Sequence, residues 1–161
     1  MKKLLLLLLC LGTFLYIAVA SKNEKKNKVK SATQYSTSTE KGKTLTYKES
    51  YEEYDKNGKV TLKVDYKKDG SIDTKKTFKY NSSGDKTEEV EYTPSGSVDK
   101  KTTTSYNAQG EKDTEVVYDA SGKVLKKAVY SYNTKNLKVE KKNYNGTNVM
   151  ESVKKWEYVF Y

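Results

Sequence analysis

The sequence predicts an all-β fold, an antiparallel up-and-down meander of about nine strands built from 26-residue hairpin repeats. Tyrosines lie alternately 12 and 14 residues apart from Tyr54 to Tyr158. Six of them are followed four residues later by a glycine, as Tyr54 is by Gly58, which marks a turn at the end of a strand. Apolar and polar residues alternate between the turns with the period of a β-strand.

The first 20 residues have the pattern of a secretory signal peptide. Lys2 and Lys3 precede an uncharged, mostly apolar run over 4–20 that ends in a small-x-small cleavage site. We expect cleavage before Ser21, no stable membrane span afterwards, and export to the periplasm, the cell surface or the medium. Lipidation at Cys10 and a retained signal anchor are the alternatives.

Residues 21–42 are rich in Lys, Asn, Ser and Thr and contain almost nothing to bury. This composition is typical of a flexible linker. The repeats then continue to the C-terminus without a change in composition. We therefore expect a single β-repeat domain over residues 43–161.

Composition argues against most enzyme classes. The sequence has no histidine, and its one cysteine is Cys10 in the predicted signal peptide. Metal sites made of Cys or His, cysteine nucleophiles and histidine-based triads are therefore excluded from the exported chain. We predict that the protein is not an enzyme and has no cofactor and no metal.

The net charge of +10 comes entirely from lysine, because the chain has no arginine. Bidentate phosphate and base contacts in nucleic-acid interfaces depend largely on arginine. Lysines interspersed among 21 carboxylates are typical of the solvated surface of an exposed sheet. We therefore expect no nucleic-acid partner.

The turns have a consistent chemistry. Most open with Asp or Asn and close with Gly, as in the segment from Asp55 to Gly58, which predicts a type I turn followed by a G1 bulge. Pro94, the one proline, falls at the second turn position, where its fixed φ is suitable. Asn136 replaces glycine at the positive-φ position of one turn, and Asn145-Gly146 predicts a tighter turn.

This turn geometry pairs Tyr54 with Val60, and likewise at the later hairpins, so even-numbered residues are predicted to share one semi-apolar face. Lysines such as Lys76 and Lys100 interrupt that face. Closing the sheet into a small barrel would bury them at several kcal/mol each. We therefore favour an open or half-rolled twisted sheet, with a closed barrel as the alternative.

The segments Tyr54-Asp55-Lys56-Asn57-Gly58 and Tyr118-Asp119-Ala120-Ser121-Gly122 resemble the tyrosine-aspartate (YD) repeats of the Rhs family. The resemblance extends over about residues 43–150. Members of that family are extracellular or envelope proteins whose repeats form spiralling β-sheets. The resemblance implies a fold and an exported location rather than an activity. The chain also looks like the free-standing sheet of spirochaete outer surface lipoproteins, in architecture only.

Aromatic residues are the candidates for a partner or ligand surface. Tyrosine rows stack on sugars in some binding grooves and pack between strands in most sheets. The C-terminal aromatics form the most apolar face in the chain. We expect their strand to cap the sheet or to pack across it, and the alternative is that they anchor a partner. The candidate residues are Tyr80, Tyr92, Tyr106, Tyr118, Tyr132, Trp156, Tyr158 and Phe160.

Two carboxylate pairs are candidates for the catalytic acids of a glycoside hydrolase. Glu88 and Glu89 are adjacent on a strand and must point to opposite faces, while Asp113 and Glu115 are predicted on the polar face. Neither pair predicts glycoside hydrolysis. The sequence therefore favours an exported structural or interaction protein with an unknown partner in the envelope or outside the cell. The alternative is a carbohydrate- or small-ligand-binding protein that uses a tyrosine-rich concave face.

Overall fold

The structure is a computed structural model that describes residues 29–40 and 42–161. Every regular element in these residues is a strand, as the sequence predicts. The predicted signal peptide, residues 1–20, lies outside the described residues. The strands are β1 (Ser31–Glu40), β2 (Lys43–Tyr54), β3 (Val60–Tyr66), β4 (Ile72–Tyr80), β5 (Lys86–Tyr92), β6 (Val98–Tyr106), β7 (Lys112–Asp119), β8 (Val124–Tyr132), β9 (Lys138–Asn145) and β10 (Met150–Lys155).

The strands form one antiparallel meander in sequence order, from β1 at one edge to β10 at the other. Within the described residues, each strand contacts only the strands next to it in the sequence. The two edge strands are therefore not joined, and the sheet is open rather than closed into a barrel. No second layer formed by residues 29–40 or 42–161 covers either face, so both faces of the described sheet meet solvent.

Strand β1 corrects the sequence-based division of the chain. Residues 31–40 fall within the predicted flexible linker, yet all of them pair with β2, which raises the strand number to ten. Hydroxyl pairs support this ladder, with Thr37 Oγ1 2.9 Å from Thr46 Oγ1. A strand of a one-layer sheet needs paired backbone and favourable cross-strand neighbours rather than burial. The absence of apolar residues was therefore a misleading signal here.

The turns confirm the predicted G1-bulge geometry. In the first repeat, Gly58 has φ +74°, its N–H donates to the Asp55 carbonyl at 3.0 Å, and the Asp55 N–H donates to the Lys59 carbonyl at 2.8 Å. The Asp55 carboxylate accepts hydrogen bonds from the backbone N–H groups of Asn57 and Lys59. This explains why Asp or Asn opens most of the turns.

The predicted tighter turn at Asn145-Gly146 is wrong. The turn has the same length as the others, and the positive φ of 62° belongs to Asn148 rather than to Gly146. Gly146 is required for a different reason, because a Cβ there would lie 2.2 Å from the Val124 carbonyl oxygen. The chain after β9 thus crosses directly over the backbone of β8.

A second bulge follows each turn and corrects the predicted faces. Tyr54 pairs with Val60 as predicted, but the next rung joins Glu53 to Leu62, so that Thr61 is an extra residue on β3. The same one-residue shift occurs at every later hairpin. Because strand residues alternate between faces, each shift moves even-numbered residues to the opposite face on successive strands.

We call the two sides the first face and the second face, and we assign them for the residues that follow the bulge at the start of each strand. The first face carries even-numbered residues of β3, β5, β7 and β9, such as Val64 and Tyr92. The second face carries even-numbered residues of β4, β6 and β8, such as Tyr80 and Ala128. The sequence therefore predicts the strands and turns but wrongly predicts one semi-apolar face.

The core is correspondingly thin. Among the described residues, only Val64, Ala128 and Thr104 are buried, and no large side chain is fully enclosed. All three lie in interior strands, where neighbours on both sides cover them. Stability must come from cross-strand pairs and backbone ladders spread along the sheet.

Candidate interaction surfaces

The candidate tyrosines do not share a face. Three of them, Tyr80, Tyr106 and Tyr132, end β4, β6 and β8 on the second face. The Tyr80 hydroxyl donates to the Val60 carbonyl at 2.9 Å, and the Tyr106 hydroxyl donates to the Lys86 carbonyl at 2.9 Å. Each hydroxyl thus ties the end of an even-numbered strand to the start of the preceding strand.

Burial raises the pKa of the Tyr80, Tyr106 and Tyr132 phenols above the usual value. Partial desolvation disfavours the phenolate in each case. These tyrosines therefore stay neutral over the physiological pH range. Their half-buried position and, for two of them, their carbonyl bonds are those of packing residues.

The two remaining strand tyrosines, Tyr92 and Tyr118, lie on the first face near the opposite end of the sheet. Each has a lysine as its direct cross-strand partner, Lys75 for Tyr92 and Lys101 for Tyr118. Both ammonium groups lie 5.2 Å from the ring centroid, within the range of a cation–π contact. The arrangement repeats every 26 residues and presents alternating cationic and aromatic groups to solvent.

The C-terminal aromatics form a separate surface next to β9 and β10. The backbone N–H of Trp156 donates to the Val139 carbonyl at 3.1 Å, which extends the strand pairing beyond β10. The Tyr158 hydroxyl donates to the Lys138 carbonyl at 2.7 Å, just as the Tyr106 hydroxyl donates to the Lys86 carbonyl two repeats earlier. Phe160 is 58% exposed.

Lysines lie over two of these rings. The Lys138 ammonium is 4.3 Å from the Trp156 ring centroid, and the Lys135 ammonium is 4.0 Å from that of Phe160. Their positive charges border an apolar surface. Such a surface is suited to a partner that supplies an apolar pocket rimmed by carboxylates.

Several exposed aliphatic residues beside these aromatics were not among the predicted site residues. Val149, Met150 and Val153 lie on or beside β10 and are exposed. We define the C-terminal patch as residues 149–161, which contain seven of the eleven exposed large hydrophobic residues in the described chain. The sequence signal was present in the apolar residues Val149, Met150 and Val153 themselves, but their exposure follows from the edge position of β10.

The centre of the second face carries a charge network. Lys76 bonds to Glu89 at 3.2 Å and also to Glu91, and Lys100 bonds to Glu91 at 2.5 Å. Burial opposes the charged form of Glu91, but hydrogen bonds from Lys100 and Lys76 lower its pKa overall. The carboxylates thus neutralise lysines that would otherwise repel one another across the sheet.

Two shallow depressions occur in the C-terminal half. One, of about 330 Å³, lies on the first face and is lined by Tyr118, Val116, Lys127 and the backbone turn at Gly146. The other, of about 310 Å³, includes Glu115, Lys126 and Lys141. Tyr80, Tyr106 and Tyr132 line neither of them. Of the candidate strand tyrosines, Tyr118 therefore borders one of these two depressions.

The carboxylates of Glu88 and Glu89 do not converge, because they lie on opposite faces of β5. Glu88 bonds to Lys79 at 2.7 Å, while Glu89 bonds to Lys76 and Lys86 on the other face. Glu115 bonds to Lys112 at 3.0 Å.

No group of three or more His, Cys, Asp or Glu residues suited to a metal occurs within 29–40 and 42–161. The part of the chain that the structure describes also contains no helix that could span a bilayer.

No curated protein matches this chain. A protein of unknown function from Bacteroides fragilis is similar in structure, with 15% identity and a TM-score of 0.46 over 81% of this chain and 96% of the other. TarM is similar with 14% identity and a TM-score of 0.31 over 86% of this chain and 24% of its own length.

A family model described as "Uncharacterised protein" aligns with residues 17–160. The match includes all ten strands and the C-terminal aromatics through Phe160. Because it extends over nearly the entire chain, the protein belongs to this family.

Proposed function

We propose that the protein is an exported, non-enzymatic interaction module that presents its open sheet to a protein partner in the cell envelope or outside the cell. The observation that carries this proposal is the C-terminal patch. Monomeric soluble proteins seldom expose contiguous apolar patches unless they bind something there. The patch also concentrates Trp, Tyr and Phe, which dominate binding energy at protein interfaces.

The open second face supports an interaction role over an enclosed ligand site. Lys76 and Lys100 lie there in ion pairs with Glu91, and 30% and 45% of their side-chain surfaces are exposed. Neither forms a cavity with the tyrosines. The export part of the proposal rests on the signal-peptide pattern of residues 1–20 and on the resemblance to YD repeats.

A pull-down from envelope extract tests this proposal, with the purified protein as bait. The variant Trp156→Ala/Phe160→Ala removes the two aromatic anchors at the end of the chain. We expect a stoichiometric protein partner with the unchanged protein and at least about tenfold weaker binding with the variant. The control is Leu125→Ala, since Leu125 is an exposed apolar residue outside the patch. Equal capture by all three proteins contradicts the proposal.

The depression beside Tyr118 favours one second candidate, a carbohydrate-binding role. Its aromatic ring and the nearby Lys127 are suited to a sugar, which needs a stacking face and polar groups. A glycan array with the same sample tests it. Signal that is lost in Tyr118→Ala and retained in Tyr132→Ala supports sugar binding, whereas no signal on the array excludes it.

A further inference from the structure

The two edges of the sheet differ in how they are protected against pairing with another strand. An edge strand presents unpaired N–H and C=O groups, and proteins usually blunt it with lysine, proline, shortness or a cover. The β10 edge is six residues long and carries Lys154 and Lys155. The β1 edge is ten residues long, and nine consecutive residues from Ser31 to Thr39 are uncharged and include no proline.

No interior strand resembles β1 in this respect, because each of β2 to β9 carries two or more charged residues. On β1 the one charged residue is Glu40, at the end of the strand. The strand is rich in Thr and Ser and includes Tyr35, and Thr and Tyr favour β-structure. The β1 edge, which is uncharged from Ser31 to Thr39, therefore also has a composition suited to pairing with another strand.

We propose that β1 is a self-association edge at which a second copy of this chain adds its own β1 in antiparallel orientation. The sheet would then continue across a two-fold axis from one copy into the other. The uncharged segment from Ser31 to Thr39 can oppose the same segment of a second copy without like-charge repulsion, and the two segments match in length. Pairing between two β10 edges would instead bring lysine-bearing strands together.

The side chains indicate a register centred on Tyr35. Tyr35 is the one aromatic residue on β1 and is 66% exposed. In this register it opposes Tyr35 of the second copy, and Thr33 opposes the second copy's Thr37. Both are pair types that stabilise sheets, aromatic with aromatic and threonine with threonine.

The existing sheet already uses threonine pairs beside this edge. Thr37 contacts Thr46 at 2.9 Å, and Thr39 contacts Thr44 at 3.1 Å, both through their hydroxyls. Thr33, Thr37 and Thr39 are exposed on the same side of β1 as Tyr35, since odd-numbered residues of the strand share a side. Pairing with a second copy extends this hydroxyl row across the two-fold axis.

The interaction proposed at β1 is independent of the C-terminal patch, which lies at the opposite edge of the sheet. Loss of partner binding on changing Trp156 and Phe160 therefore concerns the proposed function alone. A change of oligomeric state on altering β1 concerns this inference alone.

The test is the molar mass in solution, measured by sedimentation equilibrium over a range of concentrations, on protein purified from cells that express the full chain. We expect a monomer–dimer equilibrium. In Thr33→Lys/Thr37→Lys, lysine opposes lysine twice across the two-fold axis, so the dimer dissociation constant should rise at least about tenfold. Thr33→Glu/Thr37→Glu should weaken the dimer similarly for the same reason.

Mixing the lysine and glutamate variants supplies the decisive measurement. Each lysine then faces a glutamate, so the mixture should form dimers at concentrations at which each variant alone dimerises only weakly. Ser105→Lys/Ser131→Lys serves as the control, because both residues are exposed on interior strands; it should dimerise normally. Far-UV circular dichroism checks that every variant is folded.

The proposal is overturned by a wild-type monomer at all concentrations, by association that the β1 substitutions leave unchanged, or by a mixture that fails to restore dimers. Open-ended polymers would also overturn it, since they indicate head-to-tail pairing of β1 with β10.

Discussion

Val64 in β3 and Val153 in β10 are the same residue type on the same kind of element, yet 5% of Val64 and 39% of Val153 is exposed. Val64 lies between Tyr51 of β2 and Lys75 of β4. Val153 has only Lys142 of β9 beside it. In a one-layer sheet, burial therefore depends on having a neighbouring strand on each side rather than on a second layer.

Interior and edge strands differ in how far neighbouring side chains cover them. Interior strands are covered by long side chains of their neighbours, whose aliphatic stems shield apolar groups while their charged ends stay in water. Edge strands lack half of this cover. We therefore expect the middle of the sheet to be its most stable part and the two edges to be the surfaces that a partner would contact.

The largest expected effect on stability is at Val64, the more buried of the two valines compared. Val64→Ala should lower the free energy of unfolding by about 2 kcal/mol, because it removes buried methyl groups and leaves a cavity. Val153→Ala should change it by less than about 0.5 kcal/mol. Urea unfolding followed by circular dichroism measures both. Equal losses would mean that interior and edge strands contribute alike.

A smaller effect is expected from one tyrosine hydroxyl in the interior. Tyr106→Phe removes the 2.9 Å bond to the Lys86 carbonyl, which should cost about 1 kcal/mol of unfolding free energy. Tyr118→Phe is the control, since it keeps the ring and its contact with Lys101. It should cost less than about 0.5 kcal/mol. Two equal values would refute the structural role of the Tyr106 hydroxyl.

The smallest effect is the pH dependence of the central charge network. The hydrogen bonds of Lys86 and Lys76 to Glu89 more than offset its burial, so the pKa of Glu89 is lowered, as is that of Glu91. Their contribution to stability is complete above the unfolded glutamate pKa of about 4.3 and is lost as pH falls through the lowered values. The bond to Glu91 raises the pKa of Lys76, whose contribution is lost only as pH rises through that raised value.

Glu91→Gln tests this network against Glu151→Gln, which changes an exposed residue of β10. The urea midpoint of the unchanged protein should fall between about pH 5 and pH 3, and the fall should be smaller in Glu91→Gln. Glu151→Gln should follow the unchanged protein. Identical pH profiles for all three would show that the interior ion pairs contribute nothing measurable.

The candidate surfaces were predicted only in part. Trp156, Tyr158 and Phe160 could be named because they end the chain as a dense aromatic run. The neighbouring Val149 and Met150 could not, since their exposure depends on β10 having no strand beyond it. The tyrosine rows were predicted on one face, and the bulge after each turn divides them between two.

The amino-acid sequence by itself determines the strands, the turns and their order. A residue that accepts positive φ, four positions after a tyrosine, favours a hairpin turn at that point, and this preference is local to the turn. Only the tertiary structure decides which residues share a face, because each added bulge residue becomes apparent when two strands are paired. It also decides that β1 is a strand and that the sheet stays open, since both depend on what lies beside each strand.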